Sequence, residues 1–198
     1  MGIMIDPDSV GGRLKGFADA YPLFFAALDE TNGTFASLNT FWSGERYIEV
    51  MTAWNNTIPE LNNNLKELAR CSEILNAILK NYTSADNNPV SIDCAAVRFL
   101  TSCEIAKDRK IKFEDYMAAD ELSKIKKSLQ TAMSYANTMK AENNSADWSD
   151  EGAAIDNAKE DVNSYLTHIL TYLDSLSKSI EKALVDISTD FKGAGHSY

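Results

Sequence analysis

The residues capable of chemistry are few and scattered. Histidine occurs only at His168 and His196, and no Glu-x-x-His pair exists to project two metal ligands from one helix face. Cys71, Cys94 and Cys103 contain no CxxC spacing and leave an odd thiol, so buried free thiols are expected, and neither a disulfide framework nor a zinc site. A cysteine nucleophile needs a basic partner, and nothing in the sequence places a histidine beside Cys94 or Cys103. Gly11-Gly12 lacks the preceding strand and the spacing of a phosphate-binding loop. His168 stands beside an apolar stripe, one residue before Ile169, where an exposed or half-buried helix residue is the simpler reading. The expectation is a non-enzymatic chain with no catalytic residues, no cofactor and no metal.

Charge narrows the partners. The 198 residues carry 19 Lys plus Arg against 29 Asp plus Glu, a net charge of -10, which disfavours phosphate backbones and anionic lipid surfaces. Nucleic acid is therefore not expected as a partner. No apolar run reaches the ~20 residues of a membrane span, so stable membrane insertion is not expected either. The N-terminal residues lack a basic region followed by an apolar stretch, so no cleaved Sec signal is expected.

The elements that must position everything else are long helices. Val10, Leu14, Phe17, Tyr21, Phe24, Leu28, Phe35, Leu38 and Trp42 alternate in steps of three and four, with one place skipped at Thr31. That is a coiled-coil-like stripe. It keeps phase across Pro22 and Asn32-Gly33, which predicts one helix from about Ser9 to Phe41, capped by Asp8 or Ser9. The alternation resumes at Tyr47, Met51, Trp54, Ile58, Leu61, Leu65, Leu68, Ser72, Leu75, Leu79 and Tyr82. Residues 45–82 predict a helix of roughly 57 Å, with Pro59 off its apolar face. Two such helices joined by a short turn form an antiparallel hairpin whose seam needs a further layer.

NNPVSID, residues 87–93, breaks the pattern, so the chain divides into a hairpin over 1–88, a connector over 89–112, a second hairpin over 113–192 and a tail over 193–198. The connector is predicted to hold a short helix over 96–106 with extended flanks. The third stripe runs Leu122, Ile125, Leu129, Ala132, Ala136 and Met139, ending at the polar stretch 142–147. The fourth runs from Ile155 through Leu166, Leu173 and Ile180 to Phe191. The fold class is thus all-α: two antiparallel long-helix hairpins packed as a four-helix bundle. The halves share an order of helix, Trp-Ser turn and longer helix, an architectural duplication with Trp148-Ser149 echoing Trp42-Ser43.

Trp42-Ser43-Gly44 falls between two long amphipathic helices, and Tyr82-Thr83-Ser84-Ala85-Asp86 lies where the second one ends. In both respects the first half resembles the WxG family, the helical-hairpin proteins of type VII secretion related to the early secreted antigens of mycobacteria. Gly suits a tight reversal with φ > 0, and Trp can cover the open end of the hairpin. The resemblance implies that Tyr82 and Asp86 form a Y-x-x-x-[DE] export signal. It implies passage through the type VII machinery without a cleaved signal peptide, and pairing with a helical partner, either a WxG-like protein or a second copy of the chain. The second half departs from the pattern, with Asp150 where Gly would stand. Tyr116 to Asp120 also fits Y-x-x-x-[DE], but reads as a helix entry.

Tyr82 also closes the second stripe, so core packing is its alternative role. Two further functional readings stand beside export. One is a cytoplasmic adaptor or chaperone docking on the helical targeting segment of a toxin, which exposed seam surface would favour; the other is a helical bundle with no secretion role.

Overall fold

A computed structural model describes residues 6–85, 89–94, 96–106, 115–148 and 152–194, with backbone alone for 115 and 189–194. Four long helices carry the fold: α1 (Pro7–Ser37), α2 (Glu45–Ser84), α3 (Asp115–Ser145) and α4 (Ala153–Ala194). A single 3-10 turn, Leu38–Thr40, follows α1.

Helix α1 starts two residues earlier than its stripe suggests. The Asp6 carboxylate, rather than Asp8 or Ser9, is the cap, accepting from the Asp8 and Ser9 backbone N–H at 3.1 and 3.2 Å. Pro7 explains the shift: at the first helical position its missing N–H costs nothing and its fixed φ already suits the helix. Regular α1 ends at Ser37, not Phe41, and tightens into the 3-10 turn. Pro22 and Pro59 lie inside helices on their solvent faces, and neither ends its helix.

The stripes form the core. The skip at Thr31 is a buried hydroxyl pair, Thr31 Oγ1 donating to Ala27 O at 2.8 Å while lying 2.7 Å from Ser128 Oγ of α3. Ionic and aromatic pairs give the arrangement: Arg13–Glu142 joins α1 to α3, Lys126–Glu181 α3 to α4, Arg46–Asp186 α2 to α4, and Phe35–Trp54 α1 to α2. In each case residues early in one helix meet residues late in the other, so neighbours are antiparallel. The helices run in the order α1, α3, α4, α2 around the bundle, with α2 and α3 diagonal and parallel.

That topology sets the connector's conformation. The chain leaves the far end of α2 and must return to the level of Tyr47 before α3 begins. Ile92 meets Asn76 and Ala106 meets Tyr47. Twenty-nine helical residues of α2 cover ~44 Å, and fourteen connector residues match that only when extended, at ~3.3 Å each. A helix of that length would reach ~21 Å. Residues 96–106 are accordingly not the short helix expected from their composition; together with 89–94 they form an extended strap without helical structure.

The strap lies in the groove between α1 and α2. Val90 passes so close to Gly11 that a Cβ there would stand 3.2 Å from its Cγ1. Cys94 sits among Phe17, Tyr21 and Ala69, and the Arg98 guanidinium lies 5.9 Å above the Phe25 ring. This explains why α1 packs far more extensively on α3 than on α2, its own hairpin partner. On the α3 side, Gly16 lets the α1 backbone approach Glu142, whose Cδ would lie 2.9 Å from an added Cβ.

Candidate functional site

The hairpin turn is built around one positive-φ glycine and one buried ring. Gly44 adopts φ 112°, a conformation L side chains avoid, and its carbonyl accepts the Ile48 N–H to open α2. Trp42 is 3% exposed, its N–H bonded to Leu38 O at 2.9 Å and its ring edge-on to Tyr47 at 6.1 Å. Ser43 is buried as well. Trp42 is thus buried at the turn, and Gly44 makes the reversal.

Tyr82 behaves differently from the stripe it closes. It is 39% exposed, whereas Tyr47 and Trp54 earlier in α2 are fully buried. Thr83 takes the interior place instead, donating to Leu79 O and accepting the Val90 N–H at 2.8 Å where the strap begins. Asp86 lies outside the described residues.

In the second hairpin Trp148 is fully buried, matching Trp42, while Ser149 lies outside the described residues. The polar stretch that ends the third stripe is a lock as well as a break. Asn143, 3% exposed, donates to Lys159 O, Lys159 Nζ donates to Ala146 O at 2.9 Å, and Asn163 donates to Asn144 Oδ1 at 2.8 Å. Helix α3 consequently continues to Ser145. Tyr116, at 85% exposure in the first turn of α3, is a helix entry as expected.

The feature not foreseen from sequence is a ladder of asparagines on α2. Each of Asn55, Asn62 and Asn76 grips one strap residue through both amide atoms. Asn76 Oδ1 accepts from Ile92 N–H and its Nδ2 donates to Ile92 O; Asn62 treats Leu100 so, and Asn55 Cys103, all six bonds being 2.8 or 2.9 Å long. A side-chain amide thus supplies the paired donor and acceptor that a neighbouring β-strand would supply. The spacings of seven and fourteen residues keep the three on one face, each directly after a core residue: Trp54, Leu61 and Leu75. Polar amides recurring at the edge of an apolar stripe are the signal that could have found them. The missing rung falls at Ala69, where Cys94 packs instead.

At the turn end the strap joins an aromatic cluster. Phe35 and Trp54 stack at 4.9 Å, Trp54 Nε1 donates to Asn32 Oδ1 at 2.8 Å, and the Cys103 thiol lies 3.1 Å from the same oxygen. Burial pushes the Cys103 thiol up, pushes Cys71 up to about 11, and carries Tyr21 to about 12 against the opposing charge of Arg98. These thiols stay protonated at neutral pH, the opposite of an activated nucleophile. His168 is exposed, and His196 lies outside the described residues. Among the described residues no cluster of His, Cys, Asp or Glu could hold a metal ion, and no helix is long and apolar enough to cross a membrane. An open cleft of about 170 Å³ between α2 and α4 is rimmed by Arg46, Glu49, Lys182 and Asp186, with Arg46 already paired to both acids.

Compared with known proteins, the chain matches no family model, no curated protein and no solved structure.

Proposed function

We propose that this chain is a non-enzymatic helical protein exported by, or partnering in, type VII secretion, and that it works through helix–helix association with another protein. The observation that carries the reading is Tyr82: the closing aromatic of the α2 stripe faces solvent at the helix end, open to recognition. The Trp42-Ser43-Gly44 turn between α1 and α2 supports it, because a buried Trp and a positive-φ Gly between two long antiparallel helices are what the WxG resemblance implies. The second hairpin supplies in cis the layer that a partner hairpin supplies to a single-hairpin relative.

The test compares culture supernatant and cell pellet for the wild-type chain, Tyr82→Ala and Asp86→Ala. Wild-type protein in the supernatant with both variants retained is the expected result. Export indifferent to both substitutions would remove the signal assignment. Retention of all three in the pellet would favour the cytoplasmic adaptor, bound to the helical targeting segment of a toxin.

A further inference from the structure

The groove between α1 and α2 holds an extended chain whose polar contacts to α2 are made largely through its backbone. Six of its hydrogen bonds come from three asparagines and end on strap N–H and C=O groups, and Thr83 and Tyr47 add one strap N–H each. Any non-proline residue offers those groups. Side chains anchor the strap too: Leu100 and Cys103 are buried, and Val90, Ile92, Ile105 and Ala106 pack half-buried on the core, while Phe99 is 57% exposed. Arg98, over Phe25, completes a short pattern of arginine, a buried aliphatic two residues on and a small residue three further.

We propose that this groove is a binding site for an extended polypeptide segment, and that residues 90–94 and 96–106 are its built-in occupant, displaceable by a partner segment carrying the same arginine–aliphatic–small pattern. The strap contributes none of the four helices, and the α1–α3, α3–α4 and α2–α4 contacts do not pass through it. Asn55, Asn62 and Asn76 would grip the incoming backbone as they grip the strap. The idea does not depend on the export reading: it concerns an extended ligand, whereas that reading concerns helical association and Tyr82.

The experiment uses the full chain and a fluorescent peptide with the sequence of residues 89–106. In the wild type the cis strap competes, so binding is at least tenfold weaker than to the full chain carrying Leu100→Asp and Cys103→Asp, which loosens the strap. Adding Asn55→Leu, Asn62→Leu and Asn76→Leu abolishes binding, and so does a peptide N-methylated at the positions of Ile92, Leu100 and Cys103. Circular dichroism checks that each variant is helical. A helical, loosened variant with no saturable peptide binding would overturn the proposal, as would binding that ignores the asparagines. If the loosened chain instead forms a strap-exchanged dimer by light scattering, the occupant is a second copy and the partner claim fails. Should the variants not fold, amide exchange on the wild type decides: the Ile92, Leu100 and Cys103 amides must exchange faster than the cores of α2 and α4. Equal protection would mean that the strap never opens without global unfolding.

Discussion

The two helix pairs of this molecule share a design and close it differently. Helices α3 and α4 meet directly, and before Gly193 they contain neither proline nor glycine. Helices α1 and α2 together carry three prolines and four glycines, and they hold an extended strap between them. Side-chain size accounts for part of the contrast: the α3 stripe includes Ala118, Ala132 and Ala136, whereas α1 buries Phe17, Tyr21, Phe24, Phe25 and Phe35. The pair with small side chains closes on itself, and the aromatic pair leaves a groove wide enough for a third chain segment. A duplicated hairpin therefore becomes asymmetric through seam width, and the wider half acquires the polar ladder.

The largest expected effect lies where the strap meets the wider pair. Trp54→Ala empties the stack on Phe35 and leaves Asn32 without its indole donor, so a loss of about 3–5 kcal/mol is expected by urea denaturation. His168→Ala, at an exposed position of α4, should change stability by less than about 0.5 kcal/mol. Equal losses at the two positions would mean that the aromatic cluster is not a keystone of the first pair.

Next in size is the ladder. Asn62→Leu strips both partners from Leu100, leaving a backbone N–H and C=O to find water, at a cost of about 1–3 kcal/mol. The loss should be local: limited proteolysis ought to cut within 96–106 while α3 and α4 stay protected. Cleavage spread evenly over both pairs would contradict the separation of strap from bundle.

The helices were far more legible in the sequence than the strap. The stripes from Val10 to Ile187, apart from Ser72 and Tyr82, appear as core because a period between 3.5 and 3.6 is local, and the turn at Trp42-Ser43-Gly44 is local too. The start of α1 is less legible, since Pro7 at the first helical position moves the cap to Asp6. The strap's composition suggests a partly helical segment, whereas its conformation follows from topology: with α2 and α3 parallel, the connector has to span the bundle. Asn55, Asn62 and Asn76 carry little local signal of their role for the same reason. They are surface amides until the chain they bind is in place.

The thiols offer a titration that separates the groove from the α2–α4 seam. Burial raises the folded-state values of Cys71 and Cys103, so the unfolded chain ionises first as pH rises. Their contribution is complete below the ordinary thiol value of 9.0 and is lost between there and about 11 for Cys71. Urea midpoints should fall from pH 8.5 to 10.5, and Cys71→Ala should flatten that fall, each pKa unit corresponding to about 1.4 kcal/mol. Stability that rises over this interval would refute the buried-thiol account.

The smallest effect is also the cleanest contrast within the first pair. An added Cβ would meet nothing within 4 Å at either Gly33 or Gly44, so space does not distinguish them. Conformation does. Gly33 lies inside α1 on its solvent face, where Gly→Ala gains helix propensity worth about 1 kcal/mol. Gly44 sits at φ 112°, where the same change imposes strain of about 1–3 kcal/mol and disturbs the cap of α2. Gly33→Ala should therefore raise the melting temperature by about 2–4 °C and Gly44→Ala should lower it, both read by circular dichroism. A rise in both would mean that the turn relaxes freely and that Gly44 is not needed to reverse the chain. A fall in both would mean that the Asn32-Gly33 step is held open for Asn32, whose side chain serves Trp54 and Cys103 together.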